Sequence, residues 1–149
     1  MTYRERLHVP LRWWVQGVMF IATVWIAVIL WVPPLLAWSI TGAIVLLFAL
    51  AMQSYGSATI EVRDGWLHAG KARIETSYLG EIEPLSAEDT WQAAGPKANA
   101  LAYLLLRPYV RRAVKVTITD PADRTPYWLI ASRHPDRFAA ALRTEITRG

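Results

Sequence analysis

Between Trp13 and Ile60 the chain carries no Asp, Glu, Lys, Arg or His. So long a run without charge limits the choice of fold, because its apolar surface has to be covered by something. It breaks once, at Val32-Pro33-Pro34-Leu35, into segments 13–31 and 35–53, each 19 residues long. A helix of about 20 apolar residues spans the hydrocarbon core of a bilayer, roughly 30 Å. The two prolines lack N–H groups and disfavour helix in the residue before them, so the break is a tight turn joining antiparallel neighbours. The expected fold class is a membrane hairpin of two transmembrane helices over 13–54, followed by a small mostly-β domain over 57–149.

The flanks of the hairpin set its expected placement. Trp13 and Trp14 open the first segment, Trp31 closes it and Trp38 lies near the start of the second. Indole rings favour the membrane–water interface, and these four are expected to act as interfacial anchors. The leader 1–12 holds Arg4, Arg6 and Arg12 against Glu5, the turn is uncharged, and Arg63, Lys71 and Arg73 follow the second segment. The positive-inside rule then puts both termini of this multi-pass chain in the cytoplasm. Ala49-Leu50-Ala51 has the small-x-small form of a signal-peptide cleavage site, but the apolar region is too long and the triplet follows a second complete span. Both spans are expected to be retained.

The polar residues of the hairpin, Gln16, Thr23, Ser39, Thr41 and Gln53, are not ionisable. The hydroxyls are expected either to bond back to their own helix or to line an interhelical contact that Gly17 and Gly42 would bring close. Conduction or transport would call for an ionisable group at depth.

After the hairpin the apolar period becomes two. Ile60 and Val62 alternate with polar neighbours up to Asp64-Gly65, a hairpin-turn dipeptide. Further strands are expected at 66–69, 72–76, 79–83 (ended by Pro84), 102–107, 114–119 and 127–132, with a loop or short helix at 86–94. The tail reads as a helix over 135–147. Pro135 suits its first turn, Asp136 complements the helix dipole, and Phe138, Leu142 and Ile146 recur every four residues. Seven strands and a closing helix make the plan of a pleckstrin-homology-like barrel.

Several stretches also resemble a known family. They are Tyr3-Arg4-Glu5-Arg6-Leu7 with Val9-Pro10, the run 105–114, Thr119-Asp120-Pro121-Ala122-Asp123, and Pro126-Tyr127-Trp128-Leu129. Together they resemble an actinobacterial membrane-protein family defined as a domain of unknown function. The resemblance implies a two-span plasma-membrane protein and no particular activity. In architecture alone, two spans followed by a barrel is similar to bacterial membrane-anchored pleckstrin-homology proteins.

Charge in the soluble part is uneven: residues 61–95 hold three basic and seven acidic side chains, residues 96–149 ten and four. The densest basic group is Arg107-Pro108-Tyr109-Val110-Arg111-Arg112. Guanidinium forks match phosphate oxygens, and each basic group close to an anionic membrane contributes about 1 kcal/mol of attraction. Arg107, Tyr109, Arg111 and Arg112 are therefore the candidate lipid- or partner-binding residues. The competing expectation pairs these arginines with Glu81, Glu83, Glu88 and Asp89. Nucleic acid is not an expected partner, because the basic groups are few and offset by acids.

Little points to catalysis. The chain has no cysteine, which removes disulfides, thiolate chemistry and cysteine-ligated metals. His8, His68 and His134 have no metal-ligand spacing, and Asp120 and Asp123 fit turn capping better than a calcium loop. No cofactor or metal is expected. Two functions are left: a non-enzymatic accessory membrane protein whose cytoplasmic domain docks onto a membrane-protein partner or a second copy, or a sensor of anionic lipid headgroups.

Overall fold

A computed structural model describes residues 2–149 and divides them into two compact units. One is continuous, His8–Ser57; the other combines the residues up to Leu7 with Ala58–Gly149.

The continuous unit is a helical hairpin. Helix α1 (Leu11–Ile29) begins after Pro10, and α2 (Pro34–Gly56) has Pro34 in its first turn, where the missing N–H costs nothing. The amides of Trp31 and Val32 both bond the Val28 carbonyl and close α1. Both helices are long and apolar enough to cross a membrane. The first segment starts and stops two residues earlier than expected, which leaves Trp31 in the turn, 89% exposed.

Thr23, Ser39 and Thr41 donate to the carbonyls of Met19, Leu35 and Ala37 four residues back, so the hydroxyls serve their own helices. Gly17 does permit close approach: the ring of Phe48 fills the space where a side chain would stand, and Trp14 meets that ring edge-on at 5.6 Å. The same role expected of Gly42 is not seen, since nothing lies within 4 Å of where its Cβ would be. Nearer the turn, Trp25 and Trp38 pack at 5.5 Å.

The second unit is mostly β. Its first sheet is a meander, β1 (Tyr3–Arg6), β2 (Thr59–Arg63), β3 (Trp66–Ala69) and β4 (Ala72–Glu75), all antiparallel. The leader is thus not a segment apart from the domain: β1 is its edge strand, and Leu7 follows directly. Tyr3, Glu5 and Leu7 turn toward the core while Arg4 and Arg6 face out, the period-two consequence of the pleat. Leu7 is wholly buried, worth roughly 1.5–3 kcal/mol for a side chain of this size. Its amide donates to the Ala58 carbonyl at 3.0 Å, so the chain leaves the sheet and rejoins it at neighbouring positions. The hairpin is an insertion into a β-turn position.

The second sheet holds β5 (Leu79–Leu85), β6 (Tyr103–Leu105), β7 (Ala113–Ile118) and β8 (Tyr127–Ala131), in the order β5-β7-β8-β6. Pro84 does not end β5. It lies within the strand opposite Val114, which an edge strand allows because the missing N–H need not face a partner. Helix α3 (Ala87–Ala94), capped by Ser86, packs Ala93 and Ala94 over Leu85, Ala113 and Leu129. β6 is shorter than expected and runs parallel to β8, so residues 106–112 must cross the C-terminal end of β8 to begin β7.

The expectation of seven strands closed into a barrel is corrected to eight strands in two four-stranded sheets; among the described residues no ladder joins them. Helix α4 (Pro135–Arg148) packs between them, with Phe138 and Leu142 wholly buried and Ile146 against the same core.

Because β1 belongs to the sheet, replacing residues 8–57 by Asn-Gly should leave a folded, water-soluble domain. A chain starting at Ala58 should instead be unstable or aggregate, with the edge of β2 bare. Circular dichroism and gel filtration of the two chains distinguish these outcomes.

Candidate functional site

The connection over β8 contains the basic run. The Val110 amide bonds the Arg107 carbonyl at 2.9 Å, closing a tight turn around Pro108 and Tyr109, and the Val110 side chain enters the core. The Ser132 amide bonds the Arg112 carbonyl at 3.0 Å and ties the loop to the end of β8. Arg107 is half-buried, with a terminal nitrogen donating to the Leu106 carbonyl at 3.0 Å. Arg111 and Arg112 are exposed. Arg112 pairs with Asp136 in the first turn of α4 at 3.3 Å, not with the acidic residues expected for it. With both side chains at least half exposed, that pair contributes little.

Tyr109, grouped with these arginines as a candidate lipid- or partner-binding residue, turns inward. It packs against the core, and its hydroxyl donates to the Leu7 carbonyl at 2.9 Å. It is a positioning residue. It holds the arginine turn against the point where the chain departs for α1.

The four tryptophans also divide. Trp31 and Trp38 are exposed, Trp14 packs its ring on Phe48, and Trp13 is half-buried within the hairpin unit.

A second polar cluster lies beside the loop, and its central residue was not among the candidates. Glu5, buried on β1, accepts from the Tyr3 hydroxyl at 2.7 Å, the Ser132 hydroxyl at 2.6 Å and the Arg133 amide at 2.8 Å. The Ser132 oxygen in turn accepts from the His134 amide at 3.1 Å. A carboxylate so surrounded is a fastener between β1 and the segment that leads into α4. Tyr3 stacks on Phe138 at 5.3 Å, and burial pushes its hydroxyl up to about 12, with the Ser132 hydrogen bond opposing and Glu5 reinforcing. Ser132 is wholly buried and Tyr3 half-buried.

At the far end of the domain the Asp120 and Asp123 carboxylates accept from the amides of Ala122 and Thr125, both at 2.9 Å. The Thr125 amide holds the Asp123 carboxyl below its usual range. Both are turn caps, as expected.

The family model described as Protein of unknown function (DUF3093) matches residues 2–142. The chain belongs to this family. The match takes in β1, the hairpin and the β domain as one unit, in keeping with a sheet that the hairpin interrupts. No curated protein and no solved structure matches the chain.

Replacing Glu5 with Ala leaves the Ser132 hydroxyl and Arg133 amide without their acceptor, and should destabilise the domain by about 2–3 kcal/mol in chemical unfolding followed by tryptophan fluorescence. The Tyr3 hydroxyl titrates higher in the folded chain than in the unfolded one, near 10. Its contribution is therefore intact below pH 10 and lost as pH rises toward about 12. Tyr3→Phe should flatten that alkaline limb of the stability profile.

Proposed function

We propose that this is a non-enzymatic accessory protein of a bacterial plasma membrane, in actinobacteria by its sequence resemblance. Helices α1 and α2 cross the bilayer, and the pleckstrin-homology-like β domain stands on the cytoplasmic side to dock onto a membrane-protein partner or a second copy. The observation that carries this reading is the exposure of the hairpin. No residue of α1 is buried, only Ala37 of α2 is, and Phe20 and Leu47 are 68% and 66% exposed. A core helix of a water-soluble protein would have its apolar stripe covered by the fold; here apolar side chains face outward all round, as in a helix solvated by lipid.

Two further observations support it. Removal of the hairpin as a signal sequence would take β1 with it and strip the edge of β2, so retention of both spans is built into the sheet. And because β1 and β2 are neighbours on either side of the insertion, the hairpin must begin and end on the same side of any bilayer it crosses. The positive flanks identify that side as the cytoplasm. The non-enzymatic part rests on the burial of Glu5 and Ser132 and on the turn-capping use of Asp120 and Asp123. Docking has surface to use: Trp91 on α3, Leu101 in the turn before β6 and Leu104 on that edge strand are apolar and exposed.

The absence of native cysteine makes the topology directly testable. A single cysteine placed by Val32→Cys should react with a membrane-impermeant maleimide added to intact spheroplasts. One placed by Gly149→Cys should react only after lysis. Labelling of both from the outside would refute a cytoplasmic domain, and labelling of neither after lysis in lipid would leave the turn buried where the proposal has it exposed.

A further inference from the structure

The soluble unit has two ends with different electrostatics. At one end the chain departs at Leu7 and returns at Ala58. The amide of Gly70 bonds the Thr59 carbonyl at 3.0 Å, which brings the Gly70-Lys71 turn to this same end. The Tyr103 hydroxyl donates to the Ala69 carbonyl at 3.0 Å, and Tyr109 bonds Leu7, so the loop that follows β6 is there too. The side chains assembled are Arg6, Lys71, Arg107, Arg111 and Arg112. Of the acids nearby, Glu5 is buried under its three donors, Asp136 is paired with Arg112, and Glu88 and Asp89, which the pairing of Leu85 with Ala113 brings to this end at the start of α3, accept from Gln92 and Ser86.

The opposite end collects acids. The Gly65 amide bonds the Glu145 carboxylate at 3.4 Å, the Thr76 amide bonds Gly65, and the Thr119 amide bonds Tyr78. These links gather Asp64, Glu75, Glu145 and the turn bearing Asp120 and Asp123. Of the basic groups there, Arg63 is engaged with Asp64 at 2.8 Å and Arg148 with Glu145 at 3.7 Å, and Arg124 lies beside Asp123 in the same turn. The charge separation legible in the sequence is therefore a polarity along the strands, basic where the chain leaves for the hairpin.

We propose that this basic end is a contact site for the anionic headgroups of the bilayer, with Arg6, Lys71, Arg107 and Arg111 meeting their phosphates. The proposal rests on the reading of α1 and α2 as membrane spans. Residues 8–10 lie between Leu7 and the start of α1, four Cα steps or at most about 14 Å of extended chain, and Ser57 alone lies between the end of α2 and Ala58, two steps or about 7 Å. These tethers are comparable to the Debye length of about 8 Å at physiological salt, so the basic groups cannot leave the field of a charged membrane surface. Tyr109 does not enter the membrane interface. It fixes the Arg107–Arg111 turn beside Leu7, so that the backbone carrying the guanidiniums is ordered before binding.

The test uses the full chain in lipid nanodiscs, since β1 belongs to the domain. Hydrogen exchange is compared in discs of phosphatidylcholine alone and of phosphatidylcholine with phosphatidylglycerol. Amides of 70–71 and 106–112 should exchange more slowly in the anionic discs at low salt. That difference should vanish at high salt and in the variant Lys71→Gln/Arg107→Gln/Arg111→Gln, with β7 and β8 equally protected throughout. Equal exchange of these segments in the two lipids at low salt would overturn the headgroup site, and that comparison needs no variant. Slowing by inorganic phosphate in neutral discs to the same degree would also overturn it, in favour of a soluble anion. Amides of 11–29 and 34–56 report separately: protection in both discs keeps the membrane reading, and free exchange would defeat it whatever the loop does.

Discussion

The pairing of β1 with β2 is the constraint on which the rest depends. A strand of four residues, held by its ladder, by buried Leu7 and by the triply bonded Glu5, sits on the other side of a long apolar insertion from its partner. Fixing Leu7 beside Ala58 fixes the two ends of the insertion together. Any bilayer the insertion crosses must be crossed an even number of times, loss of the leader with a cleaved span would strip β2 of its partner, and whatever surrounds Leu7 lies next to the point of departure. Topology and candidate site follow from one strand pair.

The same pairing explains why the arginine turn is where it is. β6 runs parallel to β8 and β7 antiparallel to it, so the link between β6 and β7 has to pass over the end of β8. That end carries Ser132 and Arg133, the partners of Glu5, and so lies against β1. The loop could be basic for many reasons. Its position beside Leu7, secured by Tyr109, is what places the charge where the chain leaves for the hairpin. The opposite polarity at the far end adds to this, since a uniformly basic domain would orient no better one way than the other.

How much of this was readable from the residues varied with the strength of local pattern. The hairpin was legible because few folds accommodate two successive apolar segments of that length without a single charge, and α4 because Phe138, Leu142 and Ile146 keep helical period. β7 was legible because Val114, Val116 and Ile118 alternate cleanly with Lys115 and Thr117. β1 was not. Its inward positions are Tyr3, Glu5 and Leu7, and a charged residue in the middle hides the alternation; only the hydrogen bonds from Ser132 and Arg133, far along the chain, make Glu5 a core residue. The parallel placement of β6 was hidden too, since three residues carry no directional signal and the rule that successive strands form antiparallel neighbours failed there. At the site, the arginines were visible by composition. The inward turn of Tyr109 was not, because it depends on a carbonyl at Leu7 that belongs to the undetected strand.

The most direct test of the account is a cross-link between β1 and β2 in the membrane-bound chain. Arg4 and Glu61 are Cα partners facing outward, and the bond at Leu7–Ala58 makes them a non-hydrogen-bonded pair, about 4.5 Å apart at Cα. That separation is within disulfide range, and no native cysteine competes. The double variant Arg4→Cys/Glu61→Cys, oxidised in native membranes, should form an intramolecular disulfide in high yield, so that fragments cut at a protease site placed in the Pro33-Pro34 turn stay together until reduced. Fragments that separate without reduction, although both cysteines are reactive, would show that β1 does not pair across the hairpin and would contradict the account at its foundation.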